Sequence, residues 1–161
     1  MKLVTVGTVA FDDIETPRGR AEMVIGGAAT YISRSASFFV ENQGIVSVIG
    51  GDFPEDELEE MRSLGINTDG IEIKKEEKSF FWAGRYHDNM NKRDTLITDL
   101  NVLANFEPKL PEAYRSAEYL MLGNLTPDIQ MDVLNQMHKR PKLVVLDTMN
   151  FWMDIALDGL V

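Results

Sequence analysis

Val24-Ile25-Gly26-Gly27-Ala28-Ala29-Thr30-Tyr31-Ile32-Ser33 runs from an apolar, strand-like stretch into a helix through two glycines and two alanines. Gly26 and Gly27 reach backbone angles closed to residues with a side chain, and they expose main-chain amides to a ligand. Ala28, Ala29 and Thr30 start a helix whose first N–H groups lack an internal partner. Such a helix start attracts hydroxyls, carboxylates and phosphates. The same glycine pair reads equally as a tight turn before a buried helix.

Upstream of this stretch, Leu3 to Val6 is a short β-branched core strand closed by Gly7. Asp12 and Asp13 follow it directly. Carboxylates in that place lie near the carboxyl edge of an α/β sheet, where ligands bind. A solvated turn is the plainer reading of the pair. Ile14 to Ile25 alternates around Pro17-Arg18-Gly19 and is expected to form a two-stranded ribbon. Downstream, Tyr31, Ser35 and Phe39 recur every fourth residue and predict the helix face that packs on the sheet, with Gly44 ending the helix.

The remaining chain alternates strands and helices. Ile45 to Ile49 is a second core strand, and Asp52 is placed to cap the helix that follows, which Gly65 ends. Ser79 to Arg85 and Arg93 to Leu100 predict a second ribbon, with the strand-prone run Phe80-Phe81-Trp82 in its first arm. Ala117 to Leu122 is a buried strand ending at Gly123-Asn124. Thr126-Pro127-Asp128 starts a helix, and Lys142 to Leu146 is a further core strand ending at Asp147-Thr148-Met149-Asn150. Asp147 and Asn150 therefore fall on the same sheet edge as Asp12. His87 and His138 read as a loop histidine and a helix-end histidine.

Composition bounds the function. With 161 residues, 44% hydrophobic, the chain is expected to make one domain. A net charge of −10 offers no electrostatic case for nucleic acid or an anionic membrane. No cysteine is present, so disulfides, thiolate metal sites and a Cys nucleophile are excluded. The short apolar start does not read as a signal peptide, and cytoplasm is the expected setting. No metal site is expected from residue spacing. Alternating strands and helices predict a doubly wound, mostly parallel sheet flanked by helices, with the ribbons near 14–25 and 79–100 as a small lid.

Four features in order resemble the N-terminal half of PfkB-type carbohydrate kinases, the ribokinase-like family. Gly7 to Asp13 resembles the first strand with its sugar-binding Asp, here Asp12. Gly26-Gly27-Ala28-Ala29-Thr30 resembles the first signature. Val48-Ile49-Gly50-Gly51-Asp52-Phe53, then Leu64-Gly65-Ile66, resembles the helix that follows that signature. Asp147-Thr148-Met149-Asn150 resembles the strand end of many sugar kinases. The resemblance covers essentially residues 1–161 and implies one incomplete α/β domain with the ribbons as lid.

It also implies an ATP-dependent enzyme, using Mg2+, that phosphorylates a hydroxymethyl group of a sugar or nucleoside. It places Asp12, Gly26, the Gly27 amide and Tyr31 at the acceptor, with Asn124 and the lid residue Arg85 as further candidates. Tyr31 stands where the signature usually has Asn, and Ala10 near where many relatives have one. The family's Gly-Ala-Gly-Asp motif, with its catalytic base and ATP site, is not in the sequence. The chain is therefore expected to resemble a truncated kinase, with no catalytic residue of its own and no tight ATP binding. The alternative is a noncatalytic binding or dimerisation module built from this half alone. The lid strands are expected to pair two copies.

Overall fold

Strands without polar alternation belong in sheets covered on both faces. β4 (Gln43–Gly50) is the clearest case, with every residue buried. It lies in a wholly parallel sheet with β1 (Leu3–Val6), β5 (Ile66–Lys74), β8 (Tyr119–Leu122) and β9 (Leu143–Leu146). The order is β5-β4-β1-β8-β9. The computed structural model describes residues 1–161.

Two apolar clusters cover the faces of this sheet. On one, Val4, Val6, Val46, Val48, Leu120 and Leu122 pack with Val102, Phe106, Tyr114 and Val133. Val102 and Tyr114 come from 3-10 turns at Asn101–Asn105 and Glu112–Tyr114, Phe106 directly follows the first turn, and Val133 belongs to α3 (Pro127–Asn135). On the other, Ile45, Ile49 and Ile66 pack with Ala29 of α1 (Ala28–Ala36) and with Leu58 and Met61 of α2 (Glu55–Ser63). The chain ends in α4 (Asn150–Ile155) and α5 (Leu157–Leu160).

The ribbons form one separate mixed sheet: β2 (Ala10–Thr16), β3 (Gly19–Gly26), β6 (Phe80–Tyr86) and β7 (Arg93–Asp99), in order β3-β2-β6-β7. The two hairpins join through parallel pairing of β2 with β6. The first ribbon begins at Ala10 and not at Ile14, so Asp12 lies inside a lid strand. The aromatic strand β6 is interior, and β3 and β7 are the edges.

Other expectations are corrected by packing. Ala29, Thr30 and Ser33 form the buried face of α1, whereas Tyr31 is 57% and Phe39 is 88% exposed. Small side chains let α1 approach the sheet closely and leave the aromatic row outside. Gly44 belongs to β4 and does not end α1. Leu143, Val145 and Leu146 of β9 are exposed, since β9 is an edge strand and not a covered core strand.

Asp52 does not cap α2, whose N-cap is Pro54. Its Oδ1 accepts from Ser79 N–H and Oγ–H, both at 2.8 Å. Ser79 Oγ in turn accepts from Gly50 N–H at 3.0 Å, and its carbonyl accepts from Asn101 Nδ2 at 2.8 Å. This junction ties the end of β4 to the start of β6. Phe11 against Phe53, with ring centroids 5.5 Å apart, adds apolar contact between lid and core.

Ser79→Ala leaves the buried Gly50 amide without its acceptor and removes one of the two donors to Asp52. It is expected to cost about 1–3 kcal/mol in urea unfolding, as other orphaned buried polar groups do. An unchanged midpoint would show that the junction does not hold the two sheets together.

Candidate functional site

β1 ends at Val6, and the chain passes through Gly7, Thr8 and Val9 into the lid strand β2. β3 returns it through Gly26 and Gly27 to α1. These crossings meet above the carboxyl edge of the parallel sheet, where ligands bind in such sheets. Gly27 has φ +94°, and a Cβ there would fall 2.3 Å from the Thr8 carbonyl oxygen, so only glycine makes this turn without strain.

Thr8 was not singled out in the sequence, yet it organises the helix start. Its Oγ1 accepts from Ala28 N–H at 3.0 Å, and its carbonyl accepts from Ala29 N–H at 3.0 Å. Two amides expected to face a ligand are therefore occupied. A hydroxyl residue one position past a strand-closing glycine was the available signal, since such residues cap helices from outside as well as within.

Asp12 is half-buried, and no side chain or amide of the chain donates to its carboxylate. Its oxygens lie over Gly26, where a Cβ would come within 2.2 Å of Oδ2. Burial pushes its carboxyl up from 3.8 to about 6. A group left desolvated and unpaired is a binding-site feature when it sits at a sheet edge.

The other candidates separate. Asp13, next along β2, is taken up by the hairpin: Met23 N–H donates to Oδ1 at 2.7 Å and Arg20 Nη2 to Oδ2 at 3.3 Å. Tyr31 Oη donates to the Ile25 carbonyl at 2.8 Å and thereby holds the end of β3. Arg85 is the register partner of Glu15 and donates to it through Nε at 2.9 Å. Strand alternation puts Arg85 on the lid face opposite Asp12.

At the other side of the edge, a Cβ on Gly123 would lie 3.5 Å from Ala28 Cβ, so Asn124 borders the start of α1. Its Oδ1 accepts from Trp152 Nε1–H at 2.9 Å. Asp147 and Asn150 are exposed beyond β9. Gln130 Nε2 bridges the Gly123 and Asp147 carbonyls at 2.8 and 2.9 Å, joining the ends of β8 and β9. The structure thus brings Asp12, Gly26 and Gly27 together and sets Asn124 on the same edge with its Oδ1 taken by Trp152, while Asp13, Tyr31 and Arg85 are tied into local contacts.

These residues do not fit ATP with Mg2+. The glycine turn into α1 has no acidic residue in the first helical turn, unlike the Gly50-Gly51 turn before α2, but its first two amides are filled by Thr8, and no three carboxylate or imidazole groups converge on a common point.

A folded-state pKa above the unfolded value means that the folded chain holds the Asp12 proton more tightly. That contribution to stability is complete below about pH 4 and is lost as pH rises through about 6. Relative to Asp12→Asn, the protein is therefore expected to lose about 1–2 kcal/mol between pH 4 and pH 7.5, a figure reduced for partial exposure. Urea midpoints of both proteins at the two pH values check this. Parallel pH profiles would count against a desolvated Asp12.

No family model matches the chain. A cytidine kinase from Thermococcus kodakarensis is 28% identical over 148 residues, covering 91% of this chain and 51% of that protein. The nucleoside kinase of Methanocaldococcus jannaschii, an archaeal member of the ribokinase family, superposes with a TM-score of 0.72. It shares 17% identity, with 99% of this chain and 56% of that chain covered. A ribokinase from Cryptococcus neoformans in complex with ADP superposes with a TM-score of 0.61 at 15% identity, covering 76% and 40%. The chain thus has the ribokinase-like fold of the PfkB-type kinases, and it spans about half the length of the curated relative it matches.

Proposed function

We propose that this chain is the acceptor-binding and lid half of an ATP-dependent small-molecule kinase, one that phosphorylates a hydroxymethyl group of a sugar or nucleoside. The observation that carries this reading is the Asp12 carboxylate: half-buried, unpaired, on a lid strand and against Gly26 at the sheet's carboxyl edge. Two vicinal hydroxyls would supply the missing donors, and hydrogen bonds to a charged acceptor are the strong kind. Gly26 and Gly27 keep the neighbouring main chain low enough for a polyol to approach. Asn124 closes the same edge from β8.

ATP and Mg2+ are proposed as cofactors of the complete fold, where they supply the phosphoryl group and its charge neutralisation. The residues present would orient the acceptor and exclude water under the lid. The Thr8-filled helix start favours a second reading for the chain taken alone, a noncatalytic acceptor-binding module. A cytoplasmic setting is proposed from the composition; no helix is long and apolar enough to cross a membrane.

Asp12→Ala is expected to weaken acceptor binding by about 2–3 kcal/mol in a calorimetric screen of sugars and nucleosides. With Mg-ATP, the 161-residue chain is expected to release no acceptor-dependent ADP. Acceptor affinity unaffected by the substitution sinks the binding role. ADP release that depends on both acceptor and Asp12 sinks the assignment of catalysis to residues outside this chain.

The lid is also proposed to pair two copies. β7 is exposed along its whole length, and Leu96, Ile97 and Leu100 are exposed on or beside an unpaired sheet edge. Sedimentation at high concentration is expected to show a dimer. A monomer throughout would remove this proposal.

A further inference from the structure

Asp12 reaches its place by crossing between strands. Its register partner on β3 is Val24, yet its whole carboxyl group stands where a Cβ on Gly26 would be. Gly26 is the diagonal neighbour, two residues further along β3. In a regular antiparallel pair diagonal positions lie about 7–8 Å apart, a gap for aromatic or long side chains and not for an aspartate. A local distortion has closed that diagonal.

The distortion is a bulge beside the Asp12↔Val24 pair. The register passes from there to Ile14↔Ala21, so Glu22 and Met23 together oppose the single residue Asp13. A bulge bends its strand and adds right-handed twist, and bulges recur where a side chain is re-aimed. Met23 carries the irregularity, with φ +51°. The other two non-glycine residues at positive φ are Asn42 and Asn101, a residue type that tolerates this region. Methionine does not, and core packing does not compensate it, because Met23 is 54% exposed. Strain of this kind persists only where the surroundings impose it.

Asp13 imposes it. Its Oδ1 accepts from the Met23 N–H at 2.7 Å, and Arg20 Nη2 donates to its Oδ2 at 3.3 Å. The same arginine pairs through Nε with Glu22 at 3.0 Å. Both bulge residues are therefore tied to one clamp, centred on a carboxylate that is mostly shielded from water. β3 is an edge strand, so no outer neighbour shares this task.

We propose that Asp13 is a positioning residue for Asp12: by clamping the bulge at Glu22 and Met23 it draws Gly26 under the Asp12 carboxylate and so aims the acceptor's anchor. This rests on Asp12 as that anchor and assigns its orientation to the next residue in the chain. Asp13 itself does not meet the acceptor, since strand alternation sends it to the other face of the lid.

Carboxyl-carbon NMR of the 161-residue chain reads the arrangement through Asp12, whose midpoint is raised to about 6 by burial, with no neighbouring charge contributing. Asp13→Ala removes the clamp and is expected to return that midpoint to about 4, the ordinary carboxylate value. It is also expected to weaken ribose about tenfold in calorimetry, as a misplaced charged hydrogen bond does. Asp13→Asn removes the same charge but leaves an oxygen for the Met23 amide, and it is expected to keep the midpoint of the unaltered chain. Adding Met23→Gly to Asp13→Ala lets the bulge form without strain and is expected to restore most of the midpoint. This double variant carries the test if Asp13→Ala alone does not fold. Equal midpoints for Asp13→Asn and Asp13→Ala, or a folded double variant with its midpoint near that of Asp13→Ala, overturn the positioning role. Midpoints that move as expected, with no ribose binding that responds to Asp12→Asn, uphold the positioning role and overturn the acceptor reading of Asp12.

Discussion

The junction at Ser79 is the constraint on which the arrangement depends. A parallel sheet covered on both faces leaves only its carboxyl edge open for function, and a lid must be anchored there without filling it. Ser79 meets this demand by pairing with Gly50 at the end of β4, with Asp52 in the turn after it and with Asn101 beyond β7. Each is a buried or half-buried bond that water would otherwise compete for, so breaking one leaves an unpaired polar group and not a solvated one. The lid sheet is thereby fixed at its root, while its far edges remain uncovered.

That fixed root sets the electrostatics of the site. β2 leaves the core after Val9 and carries Asp12 over Gly26 as its third residue. No cation or amide of the chain follows it there. Asp13, one residue on, faces the other side and is fully occupied by Met23 and Arg20. Two adjacent carboxylates thus have opposite fates because a strand turns successive side chains to opposite faces. The unpaired one is held in its proton-binding form to higher pH; the paired one stabilises the hairpin.

The same alternation divides the lid into a structural and an open face. Phe11, Ile25 and Phe81 rest on the core cluster. Asp12, Trp82 and Thr95 lie on the reverse, with Arg93 above the indole. Because β6 is interior, paired with β2 on one side and β7 on the other, the aromatic residues are placed with the precision of a central strand.

The sequence by itself determined the strand and helix alternation, the glycine turn into α1, the second hairpin, and the presence of Asp12 near a sheet edge. These are local properties, written in periodicity, β-branching and turn chemistry over a few residues. Only the tertiary structure decided which face of α1 is buried, because Ala29 and Ser33 are chosen by closeness to the sheet and not by hydrophobicity. It alone joined the two ribbons, turned Asp52 from a helix cap into the partner of Ser79, filled the α1 amides with Thr8, and used a bulge to set Thr95 beneath the Trp82 N–H. Each of these pairs residues distant in the chain, and such pairings are fixed by how strands from separate segments register against one another, which no local pattern encodes.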